Sequence, residues 1–218
     1  MQILAHRGWW RCPSEKNSEG AFRAALSAGY GIETDIRDFD GRLVISHDPA
    51  RADAIDLDDF LTLYLSYPER GILALNVKSD GLASEMVEAL AAREIQSYFI
   101  FDMSVPDSLH YFKLNARVYT RRSEFESESE LDRSAAGVWF DSFTGRDDAK
   151  LMSLAVALPL ESALVSPELH GRDHRTAWAS WLATPGFDHA GIALCTDFPD
   201  EAHAFFNSAS SAQKDSCL

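Results

Sequence analysis

The run Gly31-Ile32-Glu33-Thr34-Asp35-Ile36 and the segment Phe39-Asp40-Gly41-Arg42, which turns it into Leu43-Val44-Ile45-Ser46, decide the fold. The first is a short, mostly apolar strand with polar residues toward its end. Asp-Gly accepts the positive φ of a tight hairpin, so 43–46 returns as a second strand. Outward from this pair, short apolar runs alternate with longer amphipathic stretches. Strands are expected at 3–5, 71–76, 98–101, 116–119, 137–140, 162–166 and 191–194. Helices are expected at 19–28, 56–67, 82–93, 106–114, 147–155, 173–182 and 199–206. Acidic residues open the helix at 56, where they suit its N-terminal dipole, and Pro106 suits a first helical turn. Apart from the hairpin strand, eight strands alternate with helices, the pattern of an α/β barrel. The competing doubly wound sheet ordinarily has a Gly-rich first turn, and the first turn here has none. The reading is one domain over residues 1–206, with a flexible C-terminal tail at 207–218.

The chain has 218 residues, 46% hydrophobic and 25% charged, an ordinary globular composition. Lys and Arg number 20 and Asp and Glu 34, a net charge of −14. That field repels nucleic acid and anionic membrane surfaces, so neither is expected as a partner. A small anionic substrate remains compatible, because a cation and a few basic side chains reverse the sign inside one cleft. The cysteines, Cys12, Cys195 and Cys217, are odd in number and form no CxxC pair, which fits a reducing compartment. No basic region precedes an apolar stretch at the N-terminus, and no run approaches the ~18 apolar residues that span a bilayer. The expected location is the cytoplasm.

In a barrel, function gathers just past the C-terminal strand ends. His6-Arg7-Gly8 follows the first strand, and Glu33-Thr34-Asp35 ends the second. His47-Asp48-Pro49 follows the hairpin strand, and Asn76-Val77-Lys78 ends the third. Glu33 and Asp35, two apart, face the same way. Two readings fit this spacing. Either a hard cation such as Mg²⁺ or Ca²⁺ sits between the carboxylates, or both are solvated at a strand edge. Asn76 offers an amide oxygen as a third ligand, or a simple cap. Lys78 and Arg7 are candidates to meet a phosphate, or to form structural ion pairs. His6 and His47 carry imidazoles that take or give a proton near neutrality. Arg121, past the fifth strand, is a further phosphate candidate. Trp139 reads as core and Asp141 as a mouth residue. Residues 166–172, Ser-Pro-Glu-Leu-His-Gly-Arg, are polar enough to be a site loop or a plain turn. Trp9 and Trp10 read as a wall over the substrate or a loop plug. The alternating Glu124, Glu126, Glu128 and Glu130 read as a solvated face. His110, His174, His189 and His203 receive no role.

The set His6-Arg7-Gly8, Asn17-Ser18, Glu33-x-Asp35 and Asp40-Gly41-x-Leu43-Val44-x-x-His47-Asp48 resembles the glycerophosphodiester phosphodiesterase family. Thr196-Asp197-Phe198-Pro199-Asp200 resembles that family's last strand end. The match is dense over the first ~50 residues and sparse beyond. It implies a TIM (β/α)8 barrel, one divalent cation (Mg²⁺ or Ca²⁺), and cleavage of a small phosphodiester by two histidines. Glu33 and Asp35 would be metal ligands, joined by Asn76, and His6 and His47 the acid and base. Arg7, Lys78 and Arg121 stay, on their own chemistry, the candidates to bind the phosphate. The chain departs from the family in two places. Asn76 stands where the family has Glu in Glu-x-Lys, and the family insertion after His-Asp is missing. The expected activity is hydrolysis. The alternatives are lyase-type release of a cyclic phosphate, and a non-catalytic barrel that binds a phosphorylated ligand.

Overall fold

The computed structural model describes residues 1–187 and 191–215, with 209–215 as backbone only. Eight parallel strands close a ring. They are β1 (Gln2–His6), β2 (Gly31–Phe39), β5 (Leu73–Val77), β6 (Tyr98–Phe101), β7 (Tyr119–Arg122), β8 (Gly137–Phe140), β9 (Glu161–Val165) and β10 (Ile192–Thr196). β1 pairs with both β2 and β10, and the ring continues β2–β5–β6 and β7–β8–β9–β10. Between β6 and β7 the seam is thin: one bridge, Ile100 to Val118, and the Ile100 amide donating to the Arg117 carbonyl at 2.8 Å. The remaining strands, β3 (Arg42–Ile45) and β4 (Ile55–Asp56), run antiparallel on the extension of β2, outside the ring. The hairpin forms as its sequence dictates, with Asp40 at φ 49° and Gly41 at φ 73°. The architecture is a (β/α)8 TIM barrel, and the chain is short for one.

Helices α1 (Glu19–Ser27), α2 (Leu57–Leu65), α3 (Ala83–Ala91), α4 (Val105–Lys113), α5 (Asp148–Ala157), α6 (His174–Leu182) and α7 (Pro199–Asp215) cover the outside. Ser18, Ser104 and Asp173 cap α1, α4 and α6 through their side-chain oxygens. Among the described residues the β7–β8 connection carries only a 3₁₀ turn, Glu130–Arg133. The strand expected at 116–119 lies at Tyr119–Arg122, because its pairing with β8 starts at Tyr119 opposite Gly137. Polarity hid it: Arg122 is buried and ion-paired to Asp132, and the Thr120 hydroxyl donates to Asp132 at 2.7 Å. Asp56 closes β4 against Val44 and is also the N-cap of α2, which runs from Leu57 with Asp58 and Asp59 in its first turn, so acidic residues open this helix as expected. Helical backbone in α7 continues to Asp215, through most of the stretch read as a tail. Cys217 lies outside the described residues, as does His189.

Two apolar layers result from strand alternation. Leu4, Ala74, Phe99, Phe101, Tyr119, Trp139, Ala163, Val165, Ala193 and Cys195 fill the barrel interior. Large rings on β6–β8 face small residues on β5, β9 and β10, so the lumen is packed rather than open. Phe99 stacks on Tyr119 at 3.8 Å and Phe101 on Trp139 at 4.1 Å, which places Trp139 in the core as expected. The complementary strand positions, Ile3, Ile32, Ile36, Leu75, Val138 and Leu194, pack outward against the helices.

Directly after β1 the chain bends through Arg7 (φ 58°) and Gly8 (φ 87°). A Cβ on Gly8 would stand 2.7 Å from the Ala21 Cβ and 2.8 Å from its backbone carbon. Gly8→Ala therefore meets both a left-handed backbone and a clash with α1. The expected loss is about 1–3 kcal/mol of stability, measured by urea denaturation.

Candidate active site

The inward alternation that fills the lumen with apolar rings ends in polar groups at the C-terminal mouth. Leu4 is followed two residues later by His6, Ala74 by Asn76 and then Lys78, Tyr119 by Arg121, Trp139 by Asp141, and Cys195 by Asp197. On β2 the inward positions are Glu33 and Asp35, both almost fully buried, with Asp35 opposite Asn76 on β5. A polar ring thus crowns the barrel.

One side of the ring is a dyad. His6 Nδ1 lies 2.6 Å from Asp197 Oδ1, and His6 Nε2 lies 3.9 Å from Glu33 Oε2. Burial pushes the Asp197 carboxyl up, but the hydrogen bond and charge of His6, with the charge of Lys16, outweigh it and hold the carboxyl below its ordinary range. The ionised Asp197 holds Nδ1, which leaves Nε2 as the ring nitrogen that faces Glu33. Asp197 is itself fixed by Glu168, whose Oε1 accepts the Asp197 amide at 3.1 Å and the Thr196 hydroxyl. The 166–172 loop is therefore the clamp on the last strand. Trp10 Nε1 donates to the His6 carbonyl at 3.0 Å, with Lys16 over its ring, so Trp10 holds the turn in place, while Trp9 packs edge-on against Tyr30.

The carboxylates of β2 have different surroundings. Asp35 is charge-compensated: Arg7 Nε pairs with Oδ2 at 2.9 Å, Asn17 Nδ2 donates to Oδ2 at 2.9 Å, and Lys78 Nζ stands 3.5 Å from Oδ1. Glu33 has no cation so close. Burial, and then the Asp35 charge, raise its carboxyl above the ordinary value; His6, Arg7 and Lys78 offset this only in part. Asn76 Nδ2 donates to Glu33 Oε1 at 3.2 Å. A glutamate at position 76 has no such donor and would add a third like charge; the amide relieves both. Three buried oxygens on this wall, Glu33 Oε2, Asp35 Oδ1 and Asn76 Oδ1, have no hydrogen-bond donor. Buried acceptors without donors are rare and costly. Two carboxylate oxygens and an amide oxygen form a hard donor set, which fits a Mg²⁺- or Ca²⁺-type ion. Among the described residues, no three His, Cys, Asp or Glu side chains gather as a metal-binding group, so the fit depends on the amide of Asn76.

The basic candidates are already engaged. Lys78 bridges Asp35 and Asp102, the latter at 3.4 Å, and Arg121 pairs with Asp102 and Glu126. His47 stands apart. It follows β3, which is outside the closed ring, its side chain is 46% exposed, and its ring bonds to Asp48 at 2.8 Å. No hydrogen bond or ion pair joins it to Glu33, Asp35 or Asn76 among the described residues.

The glutamates at 124 and 126 are not a solvated face. Glu126 holds Arg121, and Glu124 accepts the amides of Phe143, Thr144 and Gly145 and the hydroxyls of Ser142 and Thr144. Burial opposes ionisation of Glu124, yet these hydrogen bonds and its own backbone pull its carboxyl down to about 2. A depressed carboxyl stabilises the fold above its unfolded value and loses that contribution as pH falls toward the folded one. Stability is thus expected to fall between pH ~4.5 and ~2 in part through Glu124. Glu124→Gln should flatten that part of the curve in urea melts.

Neither family models nor curated proteins match the chain. Solved structures do. A glycerophosphodiester phosphodiesterase from Parabacteroides distasonis superposes with TM-score 0.75 at 16% identity, over 96% of this chain and 98% of that one. One from Agrobacterium tumefaciens gives 0.68 at 16%, over 92% and 97%. An Oleispira antarctica phosphodiesterase in complex with the product sn-glycerol-3-phosphate gives 0.67 at 15%, over 95% and 97%. At these identities the likeness is one of fold, and over nearly its whole length this chain has the barrel of the glycerophosphodiester phosphodiesterases.

Proposed function

We propose that the chain is a metal-dependent phosphodiesterase that hydrolyses a small, glycerophosphodiester-like substrate at the barrel mouth. The observation that carries this reading is the set of three buried oxygens that accept no hydrogen bond, on Glu33, Asn76 and Asp35, the last ion-paired to Lys78, beside the His6–Asp197 dyad. Glu33, Asp35 and Asn76 hold the cation. Bound there, a divalent ion supplies Lewis-acid polarisation of the phosphoryl oxygen and offsets charge that develops on it.

The protein's own groups bind, orient and move protons. Asp197 fixes the His6 tautomer and ring plane, so Nε2 is the atom that exchanges a proton. Water adds to phosphorus, the bond from phosphorus to the alcohol oxygen breaks, one imidazole takes the water proton and the other supplies the alcohol's. His47 is the second imidazole, and its exposure lets it exchange protons with solvent. Arg7, Lys78 and Arg121 face the phosphate as a basic arc. Each is tethered to a carboxylate, which fixes its position without removing its charge. The net charge of −14 supports a small substrate over nucleic acid or an anionic membrane. No helix among the described residues is long and apolar enough to cross a membrane. Among the described residues Cys12 and Cys195 form no disulfide, which supports a reducing compartment, the cytoplasm.

³¹P NMR of the product from a glycerophosphodiester tests the reaction type. A phosphomonoester as first product fits hydrolysis; a cyclic phosphate would replace it by the lyase reading.

A further inference from the structure

The strand opposite β2 in the eight-membered ring is β8, and its outlet carries Asp141. Asp141 is 9% exposed, and His170 Nε2 lies 2.6 Å from its Oδ1. Its second oxygen, Oδ2, makes no hydrogen bond among the described residues. The ring of Phe143 stands 4.9 Å from that of His170, and the Arg121 guanidinium lies 5.9 Å from Phe143. Phe125, 70% exposed, extends the aromatic rim at 6.0 Å from Phe143. Neither Asp141 nor His170 contacts the oxygens of the proposed cation site or His6, so the hydrolytic scheme leaves both without a task. Asp141 follows lumen-facing Trp139 by two residues, as Asp197 follows lumen-facing Cys195, so both stand at the same mouth of the barrel.

We propose that Asp141 and His170, with the face of Phe143, form a subsite for a polyhydroxylated alcohol, a cyclitol or sugar, esterified to the substrate phosphate; this rests on the phosphodiesterase reading. A fixed carboxylate with an open oxygen accepts hydroxyl protons, and a tethered imidazole presents a second polar edge. An aromatic face covers the C–H side of such a ring. Asp141 already has His170 on Oδ1, and a quaternary ammonium alcohol, which has no N–H to donate, would leave Oδ2 unused. An aliphatic alcohol would leave the pair without partners, the arrangement in which polar sites discriminate most strongly.

The experiment compares kcat/KM for glycerophosphoinositol and glycerophosphocholine in the full chain, Asp141→Asn and Phe143→Ala, with circular dichroism to verify folding. Both substrates contain glycerol, so their ratio reports the alcohol alone. The expected wild-type preference for the inositol diester is about tenfold or more, and each substitution removes most of it. Equal kcat/KM in wild type overturns the subsite. So does a proportional loss on both substrates in the variants, which is what a loop staple would give. No turnover of either substrate removes the phosphodiesterase reading instead. Calorimetry with inositol 1-phosphate and phosphocholine then decides the subsite. Tighter inositol binding that Asp141→Asn abolishes upholds it, and equal or absent binding overturns it.

Discussion

Replacement of His6 by alanine is expected to lower kcat for phosphodiester cleavage by roughly 10²–10⁴-fold, the range of a lost proton-transfer group, while the barrel stays folded. His6 ends β1, and its backbone pairs with β2 whatever the side chain, so the stave survives the substitution. What disappears is the only imidazole among the described residues that stands within 4 Å of Glu33, at 3.9 Å, and is held by a partly buried carboxylate, Asp197 at 2.6 Å. Asp197→Asn is the informative companion. It keeps the shape but offers an amide where an anion accepted the Nδ1 proton, so the tautomer is no longer fixed. A drop in kcat with little change in KM is expected, read by steady-state kinetics. A folded His6→Ala protein with wild-type turnover would remove His6 from the chemistry.

Glu33→Gln is expected to have two effects of opposite sign. Cation binding, measured by calorimetry, and metal-dependent turnover should both be lost, because the variant removes a carboxylate from a site that has only two. The metal-free protein should become more stable, with a thermal midpoint several degrees higher. Glu33 is 2% exposed, lies near Asp35, and has one oxygen without a donor. An ionised carboxylate in that position costs desolvation and like-charge energy that a neutral amide does not. The Gln carbonyl still accepts from Asn76 Nδ2, and its NH₂ gives a neighbouring orphan oxygen a donor. A variant that keeps the cation and loses stability would mean that Glu33 serves the fold rather than the cation.

Much of this arrangement was legible in the chain. The alternation of short apolar and amphipathic segments gives the staves and the helical layer. The two-residue spacing in Glu33-x-Asp35 and Asn76-x-Lys78 places both pairs on the lumen side, because alternation along a strand is a local property. What escaped depends on distant partners. Asp197 is 191 residues from His6, and Glu168 reaches it across a strand, so no local pattern marks either role. Only the polar end of the last strand hinted at Asp197. The Glu124–Glu130 run looks like a solvated face until the amides of 143–145 are seen to point at Glu124. His47 illustrates the converse. It does follow a strand, but β3 pairs only with β2 and β4, so the alternation along the ring strands does not by itself fix where its side chain lies relative to the mouth.

The most direct measurement is turnover by chelator-stripped protein with Mg²⁺, Mn²⁺ and Ca²⁺ added back singly, on a chromogenic diester and several glycerophosphodiesters. Glu33→Ala and His47→Ala serve as controls. The expected result is no turnover without metal, restoration by at least one cation in wild type, and none in either variant. Turnover that persists in chelator and in Glu33→Ala, or folded wild-type protein that stays inactive with every cation, would contradict a metal-dependent phosphodiesterase at this mouth.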